Sequence, residues 1–182
     1  MTRSAFAAVT FASMLASGAC DGSPSEPSTE PGVLTDRATY VARHVGGAGI
    51  WAEYELEVEA TFVNRTNRVV FVHRCTPEWD TPIYGVYRPP QPDEALESAF
   101  NAAWGCVGHD EHFAVLPRAS RTWTLRIRGP QAREHGTGQV LGALEGAMYL
   151  VLPVSYCRDC NDMVPAELTR SEPFRVTLEP ID

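Results

Sequence analysis

Two histidines and two carboxylates lie together at positions 109–112, in the segment His-Asp-Glu-His. Imidazole and carboxylate groups at this spacing could ligate a transition metal, and a bound metal could activate water for hydrolysis. The segment does not have the His-Glu-x-x-His arrangement of helical zinc sites, and no helical period surrounds it. We therefore expect a polar loop, and we keep a metal-binding or metal-dependent hydrolytic protein using His109, Asp110 and His112 as an alternative.

Cys157 and Cys160 have the Cys-x-x-Cys spacing of thiol-disulfide oxidoreductases. In those enzymes a helix N-terminus activates the first thiol, but no helical pattern follows Cys160 and the carboxylate of Asp159 would oppose a thiolate. A zinc site built from four cysteines is also disfavoured, because Cys75 and Cys106 are single cysteines rather than a second pair. We therefore expect these cysteines to be structural.

The composition excludes several classes of function. All 15 basic residues are arginines, so no lysine is present to form a Schiff base or to serve in a phosphate-binding loop. The net charge of -8 disfavours nucleic acid as a partner. The Gly-x-Ser-x-Gly motif of serine hydrolases is also missing. We expect a protein that is not an enzyme and that needs no cofactor.

The N-terminal segment is typical of an exported protein. Residues 1–19 place Arg3 before an apolar run that is too short to span a bilayer as a helix. The run ends in Leu-Ala-Ser-Gly-Ala-Cys at 15–20, which resembles the lipobox of bacterial lipoproteins. This resemblance implies that Cys20 is acylated and becomes the N-terminus. Ordinary signal-peptidase cleavage after Gly18 or Ala19 is the alternative.

Residues 20–32 are expected to form a disordered tether. After Cys20, the segment contains only Asp, Gly, Ser, Pro, Glu and Thr, so it cannot bury apolar surface. A tether between an acylated cysteine and a folded domain is the arrangement that the likeness to lipoproteins implies. We expect a domain at 33–182, held at the bacterial cell envelope by lipid, on the periplasmic side or at the surface.

Export also bears on the remaining cysteines, because disulfides form in oxidising compartments. Without Cys20, four cysteines remain, which allow three pairings. We favour Cys75 with Cys106, which would staple two adjacent loops, and Cys157 with Cys160, which are close in sequence.

The domain itself shows the two-residue period of β-strands. Apolar side chains alternate with four glutamates over residues 53–63, and with threonine and arginine over 122–128, as expected for half-buried strands. Further strands are expected at 39–42, 69–73, 83–88, 147–156 and 174–178, and a turn at 64–68. Residues 94–104 suit a helix or a strand, and we favour a strand. No helical units separate the strands, so the pattern predicts an all-β fold of seven to eight strands, a sandwich or a small barrel.

Three segments carry a family resemblance. Residues 55–71 end a strand at an asparagine and a polar turn, Leu-Pro-x-x-Ser at 116–120 opens a later strand, and a glycine and a tyrosine stand in 146–151. Together they resemble immunoglobulin-like sandwich domains of bacterial envelope proteins and, more distantly, the BsuPI-type proteinase inhibitor fold. The resemblance implies an antiparallel β-sandwich and carries no active residues.

The resemblance also bears on the four glutamates at 53, 55, 57 and 59. In an immunoglobulin-type sheet their strand pairs with residues 122–128, which would place Arg126 and Arg128 beside them. A divalent cation bound by the glutamates is the alternative.

Loop aromatics are the strongest indication of a binding surface. Trp51, Trp79, Trp104 and Trp123 are candidates for stacking on a ligand, and Trp123 alternates into the predicted core. We expect a contact surface formed by Trp79, Tyr84 and Tyr87 with the loop that carries His109 and His112, because exposed aromatic side chains in loops often anchor partners. The preferred function is non-catalytic binding or assembly with an envelope protein. A proteinase-inhibitor-like module is an alternative.

Overall fold

The computed structural model describes residues 30–89, 98–102, 104, 106, 111–158 and 161–180. The predicted leader, Cys20 and most of the predicted tether lie outside this part of the chain. No α-helix occurs among the described residues, and none of their short helices could cross a membrane. The elements are β1 (Val33–Thr35), β2 (Thr39–Gly46), a 3-10 helix (Gly49–Trp51), β3 (Glu53–Val63), β4 (Val70–Arg74), β5 (Gly85–Tyr87), β6 (Glu111–Val115), β7 (Ser120–Gly129), β8 (Gly146–Val151), β9 (Val154–Ser155), a 3-10 helix (Ala166–Leu168) and β10 (Phe174–Leu178).

The strands form two sheets, and the predicted all-β sandwich is confirmed. In the larger sheet, β3 pairs with β7 along one edge and with β1 and β2 along the other. This sheet continues from β2 through β10 and β8 to β5, and the smaller sheet has the order β6-β4-β9. The described residues contain ten strands, more than the seven to eight expected. Every pair is antiparallel except β2 with β10, which is parallel.

The core lies between the two sheets and follows the predicted alternation. Every second side chain of β3 is buried, and so are Trp123, Leu125 and Ile127 of β7. The smaller sheet adds apolar side chains such as Phe113, whose ring centroid lies 5.5 Å from that of Trp123. Burial of these side chains is the main stabilising term for such a sandwich.

The opposite face of β3 and β7 carries the charges. Glu55 lies opposite Arg128 and Glu57 opposite Arg126, with carboxylate to guanidinium distances of 2.6 and 3.5 Å. The expected pairing of the glutamate strand with residues 122–128 is therefore confirmed. Two of the four glutamates are therefore partners of arginines on a solvated face, as cross-strand pairing of opposite charges favours.

Asn64 closes the end of β3 at the predicted turn. Its side chain is fully buried, and its amide nitrogen donates to the carbonyl oxygens of Arg68, Val115 and Leu116 at 2.8 to 3.0 Å. Its amide oxygen accepts from the backbone and the hydroxyl of Thr66. Because a buried amide needs all these partners, Asn64 fixes the end of β3 against the end of β6.

Three strand predictions need correction. The expected single strand over 147–156 is two strands, because Pro153 lacks an N–H for the ladder and the chain passes there from the larger sheet to β9 in the smaller one. Glu111 and His112, expected in a loop, begin β6. The strand favoured at 94–104 is wrong for residues 98–102, where Ser98 makes an isolated bridge and the Asn101 N–H closes a turn onto its carbonyl. Residues 94–97 and 103 lie outside the described residues.

The last residues of the predicted tether contact the sandwich. The carboxylate of Glu30 lies 2.8 Å from the guanidinium of Arg65, which also donates to the Pro31 carbonyl. The N–H of Val63 donates to the carbonyl of Gly32 at 2.7 Å. The chain therefore joins the domain beside the end of β3, on the edge opposite β7.

Candidate functional site

The loop between β4 and β5 carries Trp79 and is joined by a disulfide to the segment that precedes β6. Cys75 and Cys106 are bonded at 2.04 Å, with Cα atoms 5.1 Å apart, so the predicted pairing is confirmed. This bond brings Trp104, two residues before Cys106, against the loop.

Hydrogen bonds hold this loop in one conformation. The guanidinium of Arg74 donates to the carbonyls of Pro77 and Trp79, at 2.9 and 3.3 Å. The N–H of Ile83 donates to the carbonyl of His73 at 2.8 Å, which closes the loop where the chain returns towards β5. Because these hydrogen bonds already order the loop, ligand binding does not carry the free-energy cost of ordering it.

Three aromatic rings form a row, with Trp104 in the middle. The ring centroid of Trp104 lies 5.7 Å from Trp79 and 4.9 Å from Tyr84, and both contacts are edge-to-face. The indole N–H of Trp104 donates to the carbonyl of Tyr84 at 2.5 Å. Trp79 remains 43% exposed, whereas Tyr84 is buried. The row therefore presents one indole to solvent while the other two rings fix its position.

A cavity of about 420 Å³ opens beside this row, against the middle of β7. Tyr84 spans it, because its hydroxyl donates to the carbonyl of Arg126 at 3.3 Å. We call this cavity, together with the exposed ring of Trp79, the edge groove. The residues that line the cavity are Thr81, Tyr84, Trp104, Thr124, Leu125 and Arg126.

The described lining of the edge groove suits binding. Two aromatic residues, two threonines, a leucine and an arginine line it. Apolar pockets with a few polar groups are typical of ligand sites, and exposed tryptophan and arginine side chains are frequent anchors of partners.

The structure brings together only part of the predicted contact surface. Trp79 and Tyr84 are joined through Trp104. Tyr87 lies elsewhere, on β5, where its ring centroid is 5.9 Å from that of Tyr149. His109 and Asp110 lie outside the described residues. Thr124, Leu125 and Arg126 were not predicted as site residues, because only the tertiary fold places β7 beside the loop.

His112 lies on the outer face of the smaller sheet, directly opposite His73, with ring centroids 4.5 Å apart. His73 was not singled out from the sequence, because the pairing register of β4 and β6 is not visible there. The hydroxyl of Ser155 donates to the Cys157 carbonyl, so Nε2 of His73 is the donor in its 3.1 Å contact with that hydroxyl. Among the described residues, no three His, Cys, Asp or Glu side chains are grouped to hold a metal.

The second predicted disulfide lies at the edge of the described residues. Cys157 is disulfide-bonded, and Cys160 is not among the described residues. Its pairing with Cys157 stays a prediction.

No protein-family model and no curated protein matches this sequence. The assignment of a function therefore depends on the geometry described above.

Burial raises the pKa of Tyr84 to about 12. In the unfolded chain, the Tyr84 hydroxyl would lose its proton near pH 10. Tyr84 therefore adds no pH dependence to the free energy of unfolding below about pH 10, and the folded protein becomes less stable as the pH rises from 10 towards 12. Burial, with a hydrogen bond to Asp36, likewise raises the pKa of Tyr40 to about 12.

Tyr84→Phe should therefore make the loss of stability between pH 10 and 12 shallower than in the wild type. Tyr40→Phe, far from the edge groove, should also make this loss shallower, and it serves as the matched comparison. Urea unfolding at a series of pH values measures both. An unchanged slope in Tyr84→Phe would contradict the burial of the phenol.

Proposed function

We propose that this protein is a lipid-anchored protein of the bacterial cell envelope whose β-sandwich binds a protein partner without catalysis. The edge groove is the contact surface, and the exposed ring of Trp79 is its anchor. The observation that carries the proposal is the row of three aromatic rings beside an open cavity, held by a disulfide.

The row is built before any partner arrives. Ordering a loop on binding costs free energy, and here the Cys75–Cys106 bond and the Arg74 hydrogen bonds have already fixed the loop. A fixed indole that is half exposed can bury its remaining surface in a partner with little loss of side-chain entropy. This is the usual property of an energetically dominant interface residue.

One feature supports the envelope location, and a second is compatible with a lipid tether. A buried structural disulfide at Cys75 is typical of proteins that fold in an oxidising compartment. The chain also enters the sandwich at β1, which pairs with the edge of β3 opposite β7. A tether that begins at Cys20 would approach from that side and leave the edge groove open.

The lipid anchor predicts a specific N-terminus. The chain recovered from the envelope of a bacterium that expresses the full gene should begin at Cys20 and carry acyl chains, which intact mass spectrometry detects. Cys20→Ala should abolish the added mass and release the chain from membranes. A wild-type chain that begins after Gly18 or Ala19 without lipid would contradict the anchor, but not the binding surface.

Site-specific photocrosslinking tests the binding surface. The photoreactive residue p-benzoylphenylalanine replaces Trp79 in the full chain, expressed in its own host. The matched control places it at Trp51, which is 59% exposed and lies at the end of the 3-10 helix that precedes β3. We expect a discrete adduct from position 79 and none from position 51, read by gel shift and mass spectrometry. Adducts from both positions, or from neither, would contradict the edge groove as the contact surface.

A further inference from the structure

The structure shows which residues of β7 turn their backbone N–H and C=O groups away from β3. In an antiparallel pair, alternate residues turn both their N–H and C=O groups towards the partner strand. The carbonyl of Arg126 accepts from the Tyr84 hydroxyl and that of Arg128 accepts from the side chain of Gln131, both from outside the ladder. The even-numbered residues of β7 therefore face away from β3.

The partner strand gives the same result independently. Glu59, which lies opposite Thr124, uses its carbonyl to accept from the N–H of Asp36 on the far side of β3. In an antiparallel ladder, two residues directly opposite each other either both turn their backbone groups into the ladder or both turn them away, so Thr124 turns its groups away as Glu59 does. The N–H and C=O groups of Thr122 and Thr124 must then point outward as well.

Among the described residues, this outward edge is covered at one end and open in the middle. Beside Gly129, an added Cβ would meet the ring of Phe100 at 2.6 Å, and the carbonyl of Ala99 accepts from the N–H of Gln131. At Thr122 and Thr124, no backbone hydrogen bond to the outward groups occurs within the described part of the chain. The cavity of the edge groove lies against Thr124.

We infer that the edge groove takes an extended segment of a partner protein, which adds to β7 as a further strand at Thr122 and Thr124. This inference rests on the proposed function and names the chemistry of its ligand. Unpaired edge strands are templates for strand addition, in which backbone hydrogen bonds supply affinity and side-chain pockets supply specificity.

The side chains around the open edge define the segment. Arg126 lies at one end of this edge, on the same face of β7 as Thr122 and Thr124, and β7 contains no acidic residue. Arg126 has a salt bridge with Glu57 between exposed side chains. Arg121 lies on the opposite face, where its guanidinium stands over the ring of Phe113. On the other face, the aromatic residues Tyr84 and Trp104 line the cavity. An added strand with acidic residues on one face and apolar residues on the other matches both faces.

The direct test uses peptides of this class. A pool of nine-residue peptides alternates Asp or Glu with apolar residues, and a control pool carries Lys at the acidic positions. Both are passed over immobilised full-length protein, and the affinity of the retained peptides is measured by fluorescence anisotropy. We expect retention of the acidic pool only. In an added strand, only every second peptide N–H faces β7. N-methylation of that set of amides should weaken binding about tenfold or more, and N-methylation of the other set should have little effect.

A protein variant tests the same contact from the other side. Thr124→Pro removes an outward N–H without removing a donor from the β3 ladder, a position that edge strands tolerate. We expect it to weaken peptide binding about tenfold or more. Thr124→Val keeps the N–H and should bind as the wild type does. The N-methylated peptides give the answer on the wild-type protein if Thr124→Pro does not fold.

Three results would overturn this inference. Retained peptides that tolerate N-methylation of either set of amides would bind the groove without adding a strand, and the proposed function would stand. A photocrosslink at position 79 without retention of the acidic pool would reject this class of ligand and leave the binding surface. Concentration-dependent dimers that Thr124→Pro abolishes would make a second copy of the chain the occupant of this edge.

Discussion

The antiparallel ladder between β3 and β7 is the interaction on which the rest of the structure depends. Its ten residue pairs run without a register shift from Tyr54 to Val63. One face of the ladder supplies the apolar side chains of the core, and the other supplies the glutamate and arginine pairs. The outer edge of β7 supplies the backbone groups beside the edge groove. A single pairing thus determines the core, the charged face and the candidate site.

The site itself arises where a covalent constraint meets that edge. The Cys75–Cys106 bond joins two segments that belong to different parts of the chain and holds Trp104 between Trp79 and Tyr84. Without the bond, the order of this loop would depend on the Arg74 hydrogen bonds and on aromatic contacts, each of modest strength. The disulfide therefore contributes both to stability and to the fixed shape that binding requires.

The sequence allows the local parts of this structure to be predicted, but not the parts that depend on distant contacts. Alternation revealed β3 and β7 because burial of one face leaves a two-residue period, and Asn64 marked the turn between β3 and β4. The switch between sheets at Pro153 was missed, since an apolar run looks the same in one strand or two. His73 and His112 meet only through the register of β4 and β6. Leu125 and Arg126 join the site only because the fold lays a loop across them.

Amide hydrogen exchange along β7, followed by NMR in the uncomplexed protein, measures whether the outer edge of this strand is open. The N–H groups of Trp123 and Leu125 point into the ladder and should exchange slowly. Those of Thr122 and Thr124 point outward, and they should exchange faster by orders of magnitude. That alternation would establish an open strand edge beside the aromatic row. Slow exchange at all four positions would show that the edge is already covered, and would contradict the account.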